Sequence, residues 1–414
     1  MIYLTVLLLL QADPAPPALL AATARGEPTK VVLGFSKPVD SVSAETATNY
    51  TIDNGIKVES AVRGLDLKTV TLTTSPLAEG VTYTVRVKTL GTKTFTYMRG
   101  VFGAPVKEEP RTPRIPKFSK PVLFNTPEAD AILAALQVFP KNNPWNEDIS
   151  RRPVHPDSDA LVASVGRDKN LHVNSDMAFV LVPPTQSRVE VMLREPAESD
   201  KGPFPVPDNA PVEGWPLDGT TLEMSQREGG TDRHLIVVDA ANGMLYEFYR
   251  AFKRTTGWEA DLAAAWDLKS NRMRPVKWSS ADAAGLPIFA ALPRFEECEK
   301  GMVDHALRFT VRRTRRAFIY PASHQAGGSD AAVVPAMGQR FRLKASVDVS
   351  GYPRHAQAIA LGLKKHGMFV ADNGSDWYLS APPDSRLKGL GTLRKLKGSD
   401  FEVVTTTGEN DLGR

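Results

Sequence analysis

A chain of 414 residues, 42% hydrophobic and 24% charged, is too long for one ordinary core, so two or three folded domains are expected. A net charge of +4 is too small to be a nucleic-acid signature, and no nucleic-acid partner is expected. The 32 prolines favour loops and linkers over long helices, and the single cysteine, Cys298, excludes an intrachain disulfide and a cysteine-built zinc site.

The apolar run Ile2 to Leu10 breaks at Gln11-Ala12 and then into prolines. It is far short of the about 20 residues a membrane helix needs. Residues 1–12 therefore read as a secretory signal, although the usual basic flank is missing. No later segment is long and apolar enough to span a membrane, so the mature chain is expected to be secreted or held at a bacterial cell surface.

From Thr29 to Met98 the pattern is all-β. In VTYTVRVK, Val81, Tyr83, Val85 and Val87 face one way and Thr82, Thr84, Arg86 and Lys88 the other. KTVTLTT and TKVVLGF are further strands, and Asp53-Asn54-Gly55 and Glu79-Gly80 are turns. Residues 25–98 are expected to form a β-sandwich. Phe35-Ser36-Lys37-Pro38-Val39, Ala44, Asn49-Tyr50 and the run VTLTTSPLAEGVTYTVRV resemble the SbsA-type Ig-like domain of bacterial surface proteins. That resemblance implies a spacer or adhesion module without chemistry. In residues 99–124, Pro105, Pro110, Pro113, Pro116 and Pro121 alternate with charges and read as an extended linker.

The rest, residues 125–414, reads as a mainly β (α+β) domain with a few helices. Thr126-Pro127-Glu128 starts a helix that Pro140 ends, and Trp145 is expected to be a packed anchor. DRHLIVVD, Asn242-Gly243 and MLYEFYRAF form the clearest hairpin, with His234, Ile236 and Val238 on one side. Ala356, Ile359, Ala360 and Leu363 mark an amphipathic helix capped by Ser350. The blocks NNPWNEDIS, DRHLIVVD, SADAAGLPI, HALRFTV, YPASH, MGQRFRLKA and ADNGSDWY resemble an uncharacterised family of secreted bacterial proteins over residues 139–404. That resemblance implies a common fold and no mechanism.

Polar groups recur between apolar runs from Trp278 to Tyr378. In QRFRLKA, Arg340, Arg342 and Lys344 share a strand face, a pattern suited to an anionic ligand or to neighbouring acids. Arg308 faces away from the core side of its strand and is a further ligand contact, whereas His305 reads as a core histidine. Tyr320 and His324 can serve as acid and base, with Arg308 and Arg342 neutralising a uronate. Asp372 can pair with Asp232, Glu247, Asp267 or Asp282 as glycosidase carboxyls; Asp372 and Asp282 are the catalytic candidates, and Asn373 and Trp377 the ligand contacts. Asx-turn and core-packing roles compete for these residues. His234, His305 and His324 are the alternative metal ligands, although no two have a short ligand spacing. RRTRR (Arg312 to Arg316) reads as a hairpin turn with a basic tip.

Ser280 lacks a nucleophile elbow, no phosphate loop or dinucleotide fingerprint is present, and Cys298 sits among acids that disfavour a thiolate. No cofactor is therefore expected. The leading expectation is an exported carbohydrate-active enzyme, hydrolase or lyase, or binder. Its partner is extracellular polysaccharide or a cell-envelope polymer, anionic polymers included. A non-catalytic surface or adhesion protein is the second expectation and a metal-dependent hydrolase the third.

Overall fold

The computed structural model describes residues 16–25, 28–64, 67–78, 81–98, 115–230 and 232–405. The signal segment 1–12 and most of the linker, 99–114, lie outside them. Two compact units divide the chain after Gly103, and the fold is mainly β with few helices.

In the first unit, β1 (Leu19–Arg25), β2 (Lys30–Phe35), the short helix α1 (Ser41–Ala44), β3 (Tyr50–Ile52), β4 (Val58–Arg63), β5 (Thr69–Thr74), β6 (Thr82–Val87) and β7 (Gly91–Met98) follow in order. β1 pairs antiparallel with β2 and, at its end, parallel with β7, so it joins β2-β5-β4 to β7-β6-β3 around one core. The alternation is realised within β6, since Tyr83, Val85 and Val87 are buried and Thr82 and Arg86 are exposed, whereas Val81, read with the apolar side, precedes the strand and is exposed.

The second unit starts earlier than residue 125. Ile115 and Phe118 pack against its core, and β8 (Val122–Leu123) is an edge strand. Thr126 caps α2 (Pro127–Leu133) through Ala129 N at 3.2 Å, but the helix ends before Pro140. Next come α3 (Ser158–Val165), β9 (His172–Ser175), β10 (Val180–Leu181), β11 (Val191–Leu193) and α4 (Leu222–Arg227). The hairpin is β12 (Leu235–Asp239) with β13 (Met244–Tyr249), followed by β14 (Phe252–Arg254), β15 (Gly257–Ala260), β16 (Leu262–Asp267) and α5 (Phe295–Lys300). β17 (Leu307–Val311), β18 (Arg340–Leu343), α6 (Arg354–Lys365), β19 (Met368–Asn373), β20 (Tyr378–Ala381) and β21 (Phe401–Val403) complete it.

Three sheets result, in the orders β16-β13-β12-β10-β8, β11-β15-β14 and β21-β18-β19-β17-β20-β9. β12 presents Ile236 and Val238 to a core shared with the six-stranded sheet, and Leu235 and Val237 to a second core shared with the three-stranded one. The hairpin is thus buried on both faces.

Two local readings change. α6 is preceded by Pro353, not Ser350, and Gly367 (φ +68°) closes it where a Cβ would stand 2.3 Å from Phe341 O. RRTRR is not a hairpin tip: β17 stops at Val311, Thr314 is buried, and Arg315 bridges to Ser329. Among the described residues, no helix is long and apolar enough to cross a membrane.

Candidate functional site

Strand register builds the site. Arg340 lies opposite Phe369, Phe369 opposite Arg308, and continuing the β17–β20 and β20–β9 registers places Ser380 and Asn174 next in the same row. Side chains in one cross-strand row share a face. The register between β17 and β19 then slips: Phe309 pairs with Val370, but Thr310 pairs with Asp372. The extra residue, Ala371, is a bulge that turns the Asp372 position onto the Arg308 face. Its carbonyl accepts from Ala284 N at 2.9 Å, which ties the bulge to the SADAAG loop.

That loop is the hub. Ser280 Oγ accepts from Asp282 N (2.9 Å) and lies 2.8 Å from Leu286 O. Gly285 turns the chain at φ +72°, where a Cβ would stand 2.0 Å from Ser323 Oγ and 2.7 Å from Trp278 O. Asp282, fully buried, accepts from Arg308 Nε and Nη2, both at 2.7 Å, in a fork-to-fork pair. Arg308 Nη1 also donates to Ser380 Oγ. Burial opposes the Arg308 charge, but Asp282 outweighs it and raises the guanidinium pKa.

Two histidines grip the loop on either side of Asp282. His234 Nε2 lies 2.8 Å from Ala281 O and its Nδ1 3.0 Å from Glu213 Oε2. Both partners accept, so the ring carries both protons as an imidazolium. Burial works against that charge, yet the Glu213 carboxylate pushes the His234 pKa up to about 9. His324 Nδ1 donates to Ala283 O at 2.8 Å, and its Nε2 has no hydrogen bond among the described residues.

Acids crowd this centre. Asp176 accepts from Asn174 Nδ2 at 2.6 Å, and its carboxyl shares a side-chain hydrogen bond with Glu213. Burial and then the Glu213 charge push the Asp176 pKa up to about 6. Burial also bears on Glu213, but the bond and charge of His234 hold it below the ordinary glutamate value. Asp372, half-buried, is pushed up to about 7 by burial and then by Asp282, against the pull of Arg308. Glu247 is fully buried and rises to about 7 through burial, although the amides of Ile288 and Phe289 donate to it at 2.9 and 2.7 Å. Five carboxyl groups therefore surround two cations, Arg308 and His234, and some of them must hold protons near neutrality.

The structure brings Asp282, Asp372, Arg308 and His324 to this one loop and sends the other candidates elsewhere. Arg340 and Arg342 are buried under residues 147–152: Arg340 donates to His366 O (2.7 Å), and Arg342 to Glu402 Oε1 (2.9 Å) and Arg152 O (3.1 Å). Lys344 Nζ holds Ser399 O at 2.8 Å. This correction has a simple cause, since alternation cannot tell solvent from a covering segment. Trp377 is 0% exposed, stacked on Phe309 at 5.6 Å, with Nε1 on Gly166 O; it is core and offers no sugar platform. Asn373 braces the strand ends through Thr314 Oγ1 and Val311 O. Tyr320 is half-buried in the segment that leads to His324.

The metal alternative also fails on placement. His305 is held by Glu297 (3.1 Å) and Ala306 O (2.7 Å), apart from the bonds of His234 and His324, and among the described residues no cluster fit for a metal forms. Burial and the neighbouring Glu297 and Glu296 push the Cys298 thiol pKa up, as its sequence context implied. Asp176, Glu213 and Ser380 are the members that sequence reasoning missed.

No family model matches the chain, and no curated protein sequence does. Among solved structures, the S-layer protein rSbsC(31-844) is similar at 24% identity over 25% of this chain and 16% of that chain, with a TM-score of 0.19. The N-terminal part of SbsC is similar at 24% identity over 27% and 26%, TM-score 0.18. An L,D-transpeptidase from Mycobacterium smegmatis is similar at 20% identity over 20% and 41%, TM-score 0.17. The chain thus spans under half the length of each, and the S-layer likeness is distant.

Proposed function

We propose that this is an exported, surface-associated protein whose second unit hydrolyses polysaccharide, with Asp372 as proton donor and Asp176 as the partner carboxylate. One observation carries the reading: Asp372, set by the β19 bulge, and Asp176, in the coil beyond β9, both lie near one buried guanidinium, Arg308. A donor near pH 7 and a more acidic partner suit general acid–base cleavage of a glycosidic bond. The SbsA-like first unit is a spacer in this scheme.

The test is incubation with a polysaccharide panel and measurement of new reducing ends. Release by the wild type that is largely lost in Asp372→Asn, with no loss of stability, is the expected result. A second reading, a non-catalytic surface or adhesion protein, draws on the mutual satisfaction of Asp282 with Arg308 and of Glu213 with His234. Glycan retained without any bond broken selects it.

A further inference from the structure

The cations first expected to greet an anionic ligand, Arg340, Arg342 and Lys344, are bound into the second unit itself. A different set is available. Along the outer edge of the six-stranded sheet, beside β9, backbone bonds gather three stretches of chain. Ser399 N donates to Arg167 O (2.8 Å), Gly398 N to Lys169 O (2.9 Å), and Leu171 N to Leu396 O (2.8 Å). Asn170 Nδ2 donates to Arg394 O at 2.6 Å. The 373–376 turn joins them: Asp376 takes Lys169 Nζ at 2.5 Å on one oxygen and Arg312 N at 2.7 Å on the other.

These joined stretches carry six cations: Arg167, Lys169, Arg312, Arg394, Lys395 and Lys397. Arg312, Arg394, Lys395 and Lys397 are exposed and, among the described residues, have no carboxylate partner. Arg167 donates to Asp159 O at 2.8 Å and has a loose, exposed contact with the Asp159 carboxylate at 3.6 Å. Of the acids nearby, Asp376 is already spent on Lys169 and Arg312 N, and Asp400 accepts from Lys397 N at 2.7 Å. Asp168 is exposed. His172 and Tyr378, half-buried and stacked at 4.7 Å with 11° between planes, lie on the adjoining strands. Like charges held together by backbone bonds repel one another, and an external polyanion relieves that repulsion.

We infer that this edge is a binding face for a polyanionic polysaccharide, one carrying carboxylate, sulfate or phosphate groups along its length. The face flanks the candidate site, because the turn that carries Asp376 follows directly on β19 and Asp372. Separate point charges on joined stretches of chain, with an aromatic pair on the adjoining strands, fit a glycan chain, whose anionic groups are spaced by rings. The inference is independent of hydrolysis, since Asp372 is no part of the face.

The experiment measures affinity of the full chain for polygalacturonate, dextran sulfate and a phosphomannan at about 0.15 M salt, with neutral dextran as the blank and duplex DNA as the rival polyanion. Wild type is expected to bind at least one of the three anionic polymers and not neutral dextran, and the polymer preferred identifies the anion. The quadruple variant Arg312→Ser, Arg394→Ser, Lys395→Ser, Lys397→Ser is expected to bind at least about tenfold more weakly, since rim charges govern encounter and attraction. A charge-matched control, Lys57→Ser, Arg86→Ser, Lys88→Ser, Lys93→Ser in the first unit, should stay within about twofold of wild type. Binding no better than neutral dextran, equal loss in both variants, or DNA held about tenfold tighter than every glycan each overturns the inference. Asp372→Asn should bind as wild type does, so failed hydrolysis and failed binding are read separately.

Discussion

Arg340 and Arg308 stand in one cross-strand row of the same sheet, two strands apart, with Phe369 between them. Both are buried, yet their surroundings differ. Arg340 meets the carbonyls of His366 and Glu147, with the Glu147 carboxylate at 3.6 Å, and its guanidinium lies 4.6 Å from the centre of the Phe369 ring. Its partners lie on the covering segment and at the end of α6, and most of them are carbonyls. Arg308 is claimed by Asp282 and feels Asp372 and Asp176 as well. Acids exceed cations at that end, so protons must be shared there. A buried arginine by itself says little about chemistry; the balance of charge around it separates a strut from a candidate reaction centre.

The sharpest way to break this comparison is to remove each arginine in turn. Arg308→Met leaves Asp282 charged and buried, next to carboxyls already crowded, and should cost about 3–5 kcal/mol. The urea midpoint of the second unit's unfolding measures it. Arg340→Met strands mainly carbonyls and should cost only about 1–3 kcal/mol. Equal losses would show that the charge balance around the two has no energetic consequence.

Next in size is the effect on rate. Asp372→Asn should lower polysaccharide hydrolysis by about 10²–10⁴, while the urea midpoint holds or rises because a carboxyl that burial disfavours has gone. Arg340→Met, once folded, should turn over within about threefold of wild type. A rate that follows Arg340 as closely as Asp372 would contradict the separation of the two ends.

Much of the scaffold was legible in residue order. The alternation of β6, the Asn242-Gly243 hairpin and the side of β12 that Ile236 and Val238 share follow from period-two patterning and a turn that tolerates positive φ. Arg308 was separable from Leu307 and Phe309 on the same ground. The rest was hidden for identifiable reasons. A bulge at Ala371 leaves no mark in the order of side chains, though it decides which face Asp372 takes. Asp176 and Glu213 lie just outside strands, in coil whose path is set by distant bonds such as Gly214 N to Asp176 O at 2.9 Å. Arg342 sits on the face that alternation assigns it, but residues 147–152 cover that face, and no local pattern announces a cover supplied from two hundred residues away.

The smallest expected effect is a slope. His234 binds its proton more tightly folded, about 9, than the ordinary 6.5, so its contribution to stability is full below pH 6.5 and is lost as pH rises through 9. Asp372, Asp176 and Glu247 also bind protons more tightly when folded, so they add a decline between about pH 4 and 7. Glu213, depressed, acts in the opposite sense only below about pH 4.5. The second unit should therefore melt at progressively lower temperature from pH 5 to pH 9. The first unit, whose buried polar residues among those described are Thr69 and Thr74, should hold a level midpoint across that range. His234→Gln keeps one donor and removes the titration, so it should flatten the limb above about pH 6.5 and leave the lower limb in place. A variant that still declines as steeply above that pH would mean that the imidazolium between Glu213 and Ala281 is not formed, and the proton count of the whole acidic cluster would have to be redrawn.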